Sequence, residues 1–63
     1  MMFEELVGVL DVLTYVEVVK TGDVILFKGR LRDINLIKMT EYRVDKVLPC
    51  ATSRETYLEI DVY

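Results

Sequence analysis

The sequence predicts a small α+β domain, made of a short N-terminal helix and two β-hairpins. Three observations lead to this fold class: apolar residues spaced for a helix near the N-terminus, two pairs of strand-like segments, and turn residues inside each pair. We expect the four strands to form one antiparallel sheet packed against the helix, or a small SH3-like roll. The 63 residues suffice for a single domain, residues 1–63.

The predicted helix covers residues 2–10, MFEELVGVL. Its two acidic residues, Glu4 and Glu5, lie near the start, where they favour the helix dipole. Two helical turns are not stable alone in water, so the apolar stripe must pack on the rest of the domain. The side chains of this stripe are Phe3, Leu6, Val7 and Leu10.

The first predicted hairpin follows at residues 14–29. TYVEVVK (14–20) is rich in β-branched residues, TGD (21–23) is a turn sequence, and VILFKG (24–29) is the returning strand. Side chains alternate between the two faces of a strand, so Val16 and Val18 share one face. The other face then carries Tyr15, Glu17 and Val19.

The second half of the chain reads as a short connection and another hairpin. After Gly29 we expect an irregular segment or a short helix capped by Asp33, and then a strand over 41–49 that ends at Pro49. CATSR (50–54) is a polar connection, and ETYLEIDVY (55–63) is the last strand. Its alternation places Leu58, Ile60 and Val62 on one face and Tyr57, Glu59, Asp61 and Tyr63 on the other.

Composition argues against most catalytic and metal chemistry. The chain has no histidine and a single cysteine, Cys50, so it lacks the usual general base, an intrachain disulfide and a zinc ligand set. Its three glycines are scattered and form no phosphate-binding loop. We therefore expect a protein that is not an enzyme, with no catalytic residue, no cofactor and no bound metal. No role is assigned to Cys50.

The partners expected from the sequence are proteins. A domain of this size is marginally stable alone, yet 52% of the residues are hydrophobic, so we expect a homo-oligomer or contact with another protein. The candidate interface residues are Tyr15, Tyr57 and Tyr63, since tyrosine is enriched in interfaces. No apolar run approaches a membrane span, and acidic residues replace the cations of a signal peptide. We expect a cytoplasmic protein without a membrane partner.

The segment FKGRLRDIN, residues 27–35, allows two interpretations. In an extended chain Lys28, Arg30 and Arg32 would project together and contact phosphates. Alternatively the segment is a corner, in which Leu31 and Ile34 face the core while the cations protect a sheet edge. We prefer the corner, because cations on a sheet edge are an ordinary protection against aggregation.

Part of the chain resembles the Sm-like RNA-binding proteins. The first motif of that family is similar to Val16, Val18, Gly22, Gly29, Leu31, Asp33, Asn35 and Leu36, in this order. The resemblance implies a small barrel in a cyclic assembly, with Asn35 facing a base and Asp33 bracing its loop. An Sm-like or other small-barrel nucleic-acid-binding protein is therefore the alternative function.

A longer resemblance covers nearly the whole chain. The order of a helix, TYVEVV, ILFKGRLRDI, YRVDKV and YLEIDV resembles small uncharacterised proteins encoded by phages and mobile elements of Gram-positive bacteria. The segment from Gly29 to Ile34 matches the central motif of that family. This resemblance implies a fold and a source, without an activity. The function expected from the sequence is thus a non-enzymatic accessory module of phage origin that acts through protein contacts.

Overall fold

The computed structural model describes residues 1–63, apart from the side chain of Leu36. Two short helices, α1 (Phe3–Val7) and α2 (Leu36–Met39), and a 3-10 helix (Leu31–Asp33) accompany four strands. The strands are β1 (Tyr15–Lys20), β2 (Val24–Arg30), β3 (Val44–Ala51) and β4 (Thr56–Val62). The α+β class predicted from the sequence is confirmed.

The four strands form one open, mixed sheet in the order β2-β1-β4-β3. Strands β1 and β2 are antiparallel, and so are β3 and β4, but the middle pair of β1 and β4 is parallel. The prediction of a wholly antiparallel sheet is therefore wrong at its centre. The prediction of a roll is not confirmed either, because β2 and β3 lie at opposite edges and do not pair.

The segment between β2 and β3 causes the parallel pairing. It carries the 3-10 helix and α2 and leads the chain from one edge of the sheet to the other. Because β3 starts at the far edge and β4 turns back beside β1, the two middle strands run in the same direction. Residues 31–35 of the predicted corner belong to this crossing, whereas residues 27–30 end β2, and Leu31 is buried as expected.

The core lies between the sheet and the helices, on one face only. Seven apolar residues are buried among the described side chains; four come from the middle strands and three from the helical segments. The predicted stripe of α1 faces this core, since Phe3 is fully buried and Leu6, Val7 and Leu10 pack around it. The seven are Phe3, Val16, Val18, Leu31, Met39, Ile60 and Val62.

Several element ends differ from the predicted ones. The first helix ends at Val7 with Gly8 as its C-cap, so it is shorter than residues 2–10. Asn35, and not Asp33, caps α2, because its side-chain oxygen accepts the backbone N–H of Ile37 at 3.1 Å. Strand β3 continues through Pro49 to Ala51, which an edge strand tolerates because one side of its backbone has no partner strand.

None of the helices in the described residues combines the length and the apolar character that crossing a membrane requires.

Candidate functional site

No helix or strand covers the face of the sheet opposite the core in the described part of the chain, and we call it the open face. Its side chains follow from the strand registers, because residues paired across neighbouring strands point to the same side. Twelve residues form three rows, each crossing β2, β1, β4 and β3. The rows are Arg30, Tyr15, Tyr57, Cys50; then Lys28, Glu17, Glu59, Leu48; then Ile25, Val19, Asp61, Lys46.

The first row brings two tyrosines together on the middle strands. Val16 pairs with Leu58 in the parallel ladder, so the preceding residues Tyr15 and Tyr57 are neighbours about 4.8 Å apart in the backbone. Both rings are partly exposed. The interaction with the Cys50 side chain, at the paired position of β3, is the main reason why the pKa of the Tyr57 phenol is raised.

The second and third rows gather three carboxylates, which we call the acidic centre: Glu17, Glu59 and Asp61. Glu17 pairs with Glu59 across the parallel strands, and Asp61 lies two residues further along β4 on the same face. Asp61 is the largest cause of the raised pKa of Glu59, because its carboxylate can accept a hydrogen bond from Glu59 only when Glu59 is protonated. Partial loss of water and the negative charges of Asp61 and Glu17 follow as causes. The three carboxylates therefore lie close enough together on the middle strands for the charges of Asp61 and Glu17 to raise the pKa of Glu59.

The cations of the open face lie on the edge strands. Lys28 pairs with Glu17, and the Nζ of Lys46 lies 3.9 Å from Oδ2 of Asp61. Arg30 turns away from the acids, because its Nη1 donates to the backbone oxygen of Leu13 at 2.7 Å. Glu59 forms no ion pair within the described part of the chain. Its partner on the β3 side is the apolar Leu48.

A shallow depression borders the acidic centre. It has a volume of about 210 Å³ and extends from Glu59 and Asp61 to the β1–β2 turn and the start of β3. Asp23, Asp45, Lys20 and Lys46 are also part of its lining, so acids outnumber bases. Small-molecule pockets usually enclose about 300–1,000 Å³, so this depression is suited to a single side chain rather than to a whole cofactor.

The structure separates the residues that were predicted to contact nucleic acid. Lys28 and Arg30 lie on β2, but Arg32 belongs to the 3-10 helix, and its Nε lies 4.0 Å from Oδ1 of Asp33. Asn35 is engaged as the cap of α2. The row of three cations expected for an extended chain is therefore not formed, because the chain turns at Leu31.

The predicted interface tyrosines are also separated. Tyr15 and Tyr57 share the open face, whereas Tyr63 follows the end of β4, six residues and about 20 Å from Tyr57. Its backbone pairs with Arg43 in both directions at 2.9 Å. Among the described residues, no group of three potential ligands is arranged to hold a metal ion.

Sequence reasoning missed the acidic centre as a unit. The alternation in β1 and β4 correctly placed Glu17 on the face of Tyr15, and Glu59 on the face of Tyr57 and Asp61. It gave no sign that the two strands are neighbours, since parallel pairing depends on the path of the segment that connects the two halves.

Comparisons of this chain with protein-family models, with curated proteins and with solved structures find no significant match.

Proposed function

We propose that this chain is a non-enzymatic accessory module that acts through protein–protein contacts, and that the open face makes these contacts. The observation that carries the proposal is an entire sheet face without cover, with Tyr15 and Tyr57 side by side on its middle strands. Ile25 and Leu48 on the same face are 58% and 41% exposed. Tyrosine and aliphatic side chains grouped in this way supply contact area at a small cost in side-chain entropy.

The sheet edges are less suited to contacts than the open face. Each edge strand carries a bulge in its pairing with the middle strands, one next to Leu26 and one at Asp45. Strand β2 also carries Lys28, and β3 contains Pro49, which lacks a backbone donor. Bulges, cations and proline are the features that prevent another strand from adding to an edge. We therefore place the partner on the face.

Two further points support a role without catalysis. Cys50 pairs with Tyr57 across β3 and β4, and the chain contains no histidine that could act as the base of a nucleophilic thiol. The resemblance to small proteins of phages and mobile elements implies a source but no activity, which agrees with an accessory role.

The test compares two tyrosine variants of the full chain. Tyr57→Ser removes a ring from the open face, whereas Tyr63→Ser removes a ring that is 58% exposed at the far end of β4. Each variant and the wild type are measured by light scattering at low and high concentration, and each is used to capture partners from cell extract. We expect Tyr57→Ser to capture less partner than the wild type and Tyr63→Ser to capture as much, while the native mass, which reports self-association, stays the same in all three. Equal capture by the two variants would remove the open face as the contact surface.

A further inference from the structure

We propose that the open face is a docking surface for an arginine-bearing segment of a protein partner, with the arginine bound at the acidic centre beside Tyr15 and Tyr57. This inference rests on the proposed function and specifies the chemistry of the partner. It starts from Glu59, which lies between Glu17 and Leu48 in its row and has Asp61 beside it on β4. Glu59 forms no ion pair among the described residues, and a cation from outside would supply one.

The neighbouring side chains favour arginine over other cations. Its planar guanidinium binds carboxylates through two parallel hydrogen bonds and stacks on aromatic rings. The tyrosine row and the carboxylate row are adjacent on the same two strands, so one such group reaches both kinds of partner. Rows on one face are about 6.7 Å apart, the distance between alternate residues of an extended peptide. An extended segment with arginine at every second position therefore matches the rows.

A second copy of the chain does not fit this surface. Glu17 and Glu59 occupy the middle row of the two middle strands. If two copies stacked face to face about a two-fold axis lying in the interface over the middle of the face, this pair would lie against the same pair of the other copy. Like charges brought together in this way oppose binding. The face also measures only about 20 Å by 20 Å, so two stacked copies would bury about 800 Å², less than stable dimers usually bury.

The acidic centre also argues against nucleic acid. Phosphates approaching the tyrosines would meet three carboxylates on the middle strands, while the lysine and arginine side chains of this face lie on the edge strands. The chain as a whole carries a net charge of −3. Phosphate binding relies on cations at the contact surface, and here the centre of the surface has the opposite sign.

The experiment titrates the labelled chain with a synthetic nonapeptide of alternating glycine and arginine, followed by backbone amide NMR at neutral pH. A peptide with glutamine in place of arginine is the control for the ligand. Glu59→Gln removes one charge from the acidic centre, and Glu4→Gln removes one charge from an exposed side chain of α1. We expect shifts confined to the open face, about tenfold weaker binding for Glu59→Gln, and less than a twofold change for Glu4→Gln.

Four outcomes would overturn the inference. They are shifts spread over the whole surface, equal weakening by both glutamate variants, equal binding of the glutamine peptide, and no binding of the arginine peptide at millimolar concentration. Tighter binding of a single-stranded RNA at the open face would assign it to nucleic acid instead. A rise in native mass of Glu59→Gln above the wild type would assign it to a second copy. The tyrosine comparison judges the proposed function separately, because it does not depend on the charge of the partner.

Discussion

Gly29 is the residue at which the backbone of the sheet depends most on the absence of a side chain. It pairs with Val16 inside β2, yet its φ is +155°, a conformation that other residues rarely adopt. A Cβ atom there would lie 3.3 Å from Cζ of Phe27. We expect Gly29→Ala to lower the free energy of unfolding by about 1–3 kcal/mol, measured by urea denaturation.

Gly8 provides the matched control for this substitution. Its φ and ψ of −65° and −18° are helical, and a Cβ atom would approach nothing closer than the backbone oxygen of Glu5 at 3.4 Å. We expect Gly8→Ala to raise the free energy of unfolding by about 0.4–1 kcal/mol, because alanine restricts the unfolded chain. If the two alanine variants have the same stability, the backbone conformation at Gly29 has been misjudged.

At the scale of elements, α1 is held by the sheet rather than by its own helical bonds. Five residues are too few for a stable helix, but Phe3 is fully buried and its N–H donates to the backbone oxygen of Tyr42 at 3.1 Å. The preceding residue Met2 forms an isolated antiparallel β-bridge with Arg43, and the N–H of Val44 donates to the backbone oxygen of Met1 at 2.8 Å. The N-terminal segment thus extends the start of β3 and leads directly into the core.

We therefore expect α1 and the sheet to unfold together. Phe3→Ala should cost about 3–5 kcal/mol, which is comparable to the whole stability of a domain of this size, about 3–9 kcal/mol. Far-ultraviolet circular dichroism and tyrosine fluorescence should then lose their native signals together. Val9→Ala, at a side chain that is 76% exposed, should change stability by less than about 0.5 kcal/mol. Native tyrosine fluorescence in Phe3→Ala would show instead that α1 is an independent appendage.

The elements also show how far local patterns lead. Alternation identified the core faces of β1 and β4 because each of these strands has one face towards the helices. It failed for β3, where Pro49 suggested an end, because the pattern does not reveal which strand lies at an edge. The pairing of β1 with β4 was equally invisible, since it depends on contacts between residues about forty positions apart. The acidic centre therefore became evident only in the structure.

On the scale of the whole molecule, the domain has two layers and one of its two sheet faces stays in contact with water. Its shortest dimension is 17 Å, which leaves no room for a third layer. The helices and the core occupy one side, so the charges of the middle strands accumulate on the other. The acidic centre is consequently a surface feature whose electrostatic cost affects the stability of the entire fold.

That cost predicts how stability depends on pH. The pKa of Glu59 is raised above its ordinary value of 4.5 by Asp61 and Glu17, with Lys46 acting in the opposite direction. Between 4.5 and the raised value, the folded chain binds more protons at Glu59 than the unfolded chain does. The contribution of Glu59 to the free energy of unfolding therefore falls as pH rises through this interval.

We expect Glu59→Gln to melt at a higher temperature than the wild type at pH 7, and this difference to shrink as pH falls below 4.5, where the wild-type carboxyl is itself protonated. Thermal unfolding followed by circular dichroism from pH 4 to 8 at constant salt measures the effect. Glu4→Gln changes the net charge equally at an exposed side chain of α1, away from the acidic centre, so it separates a local effect from overall charge. If the two variants show the same pH dependence, net charge and not the acidic centre governs stability, because only Glu59 has Asp61 and Glu17 as neighbours.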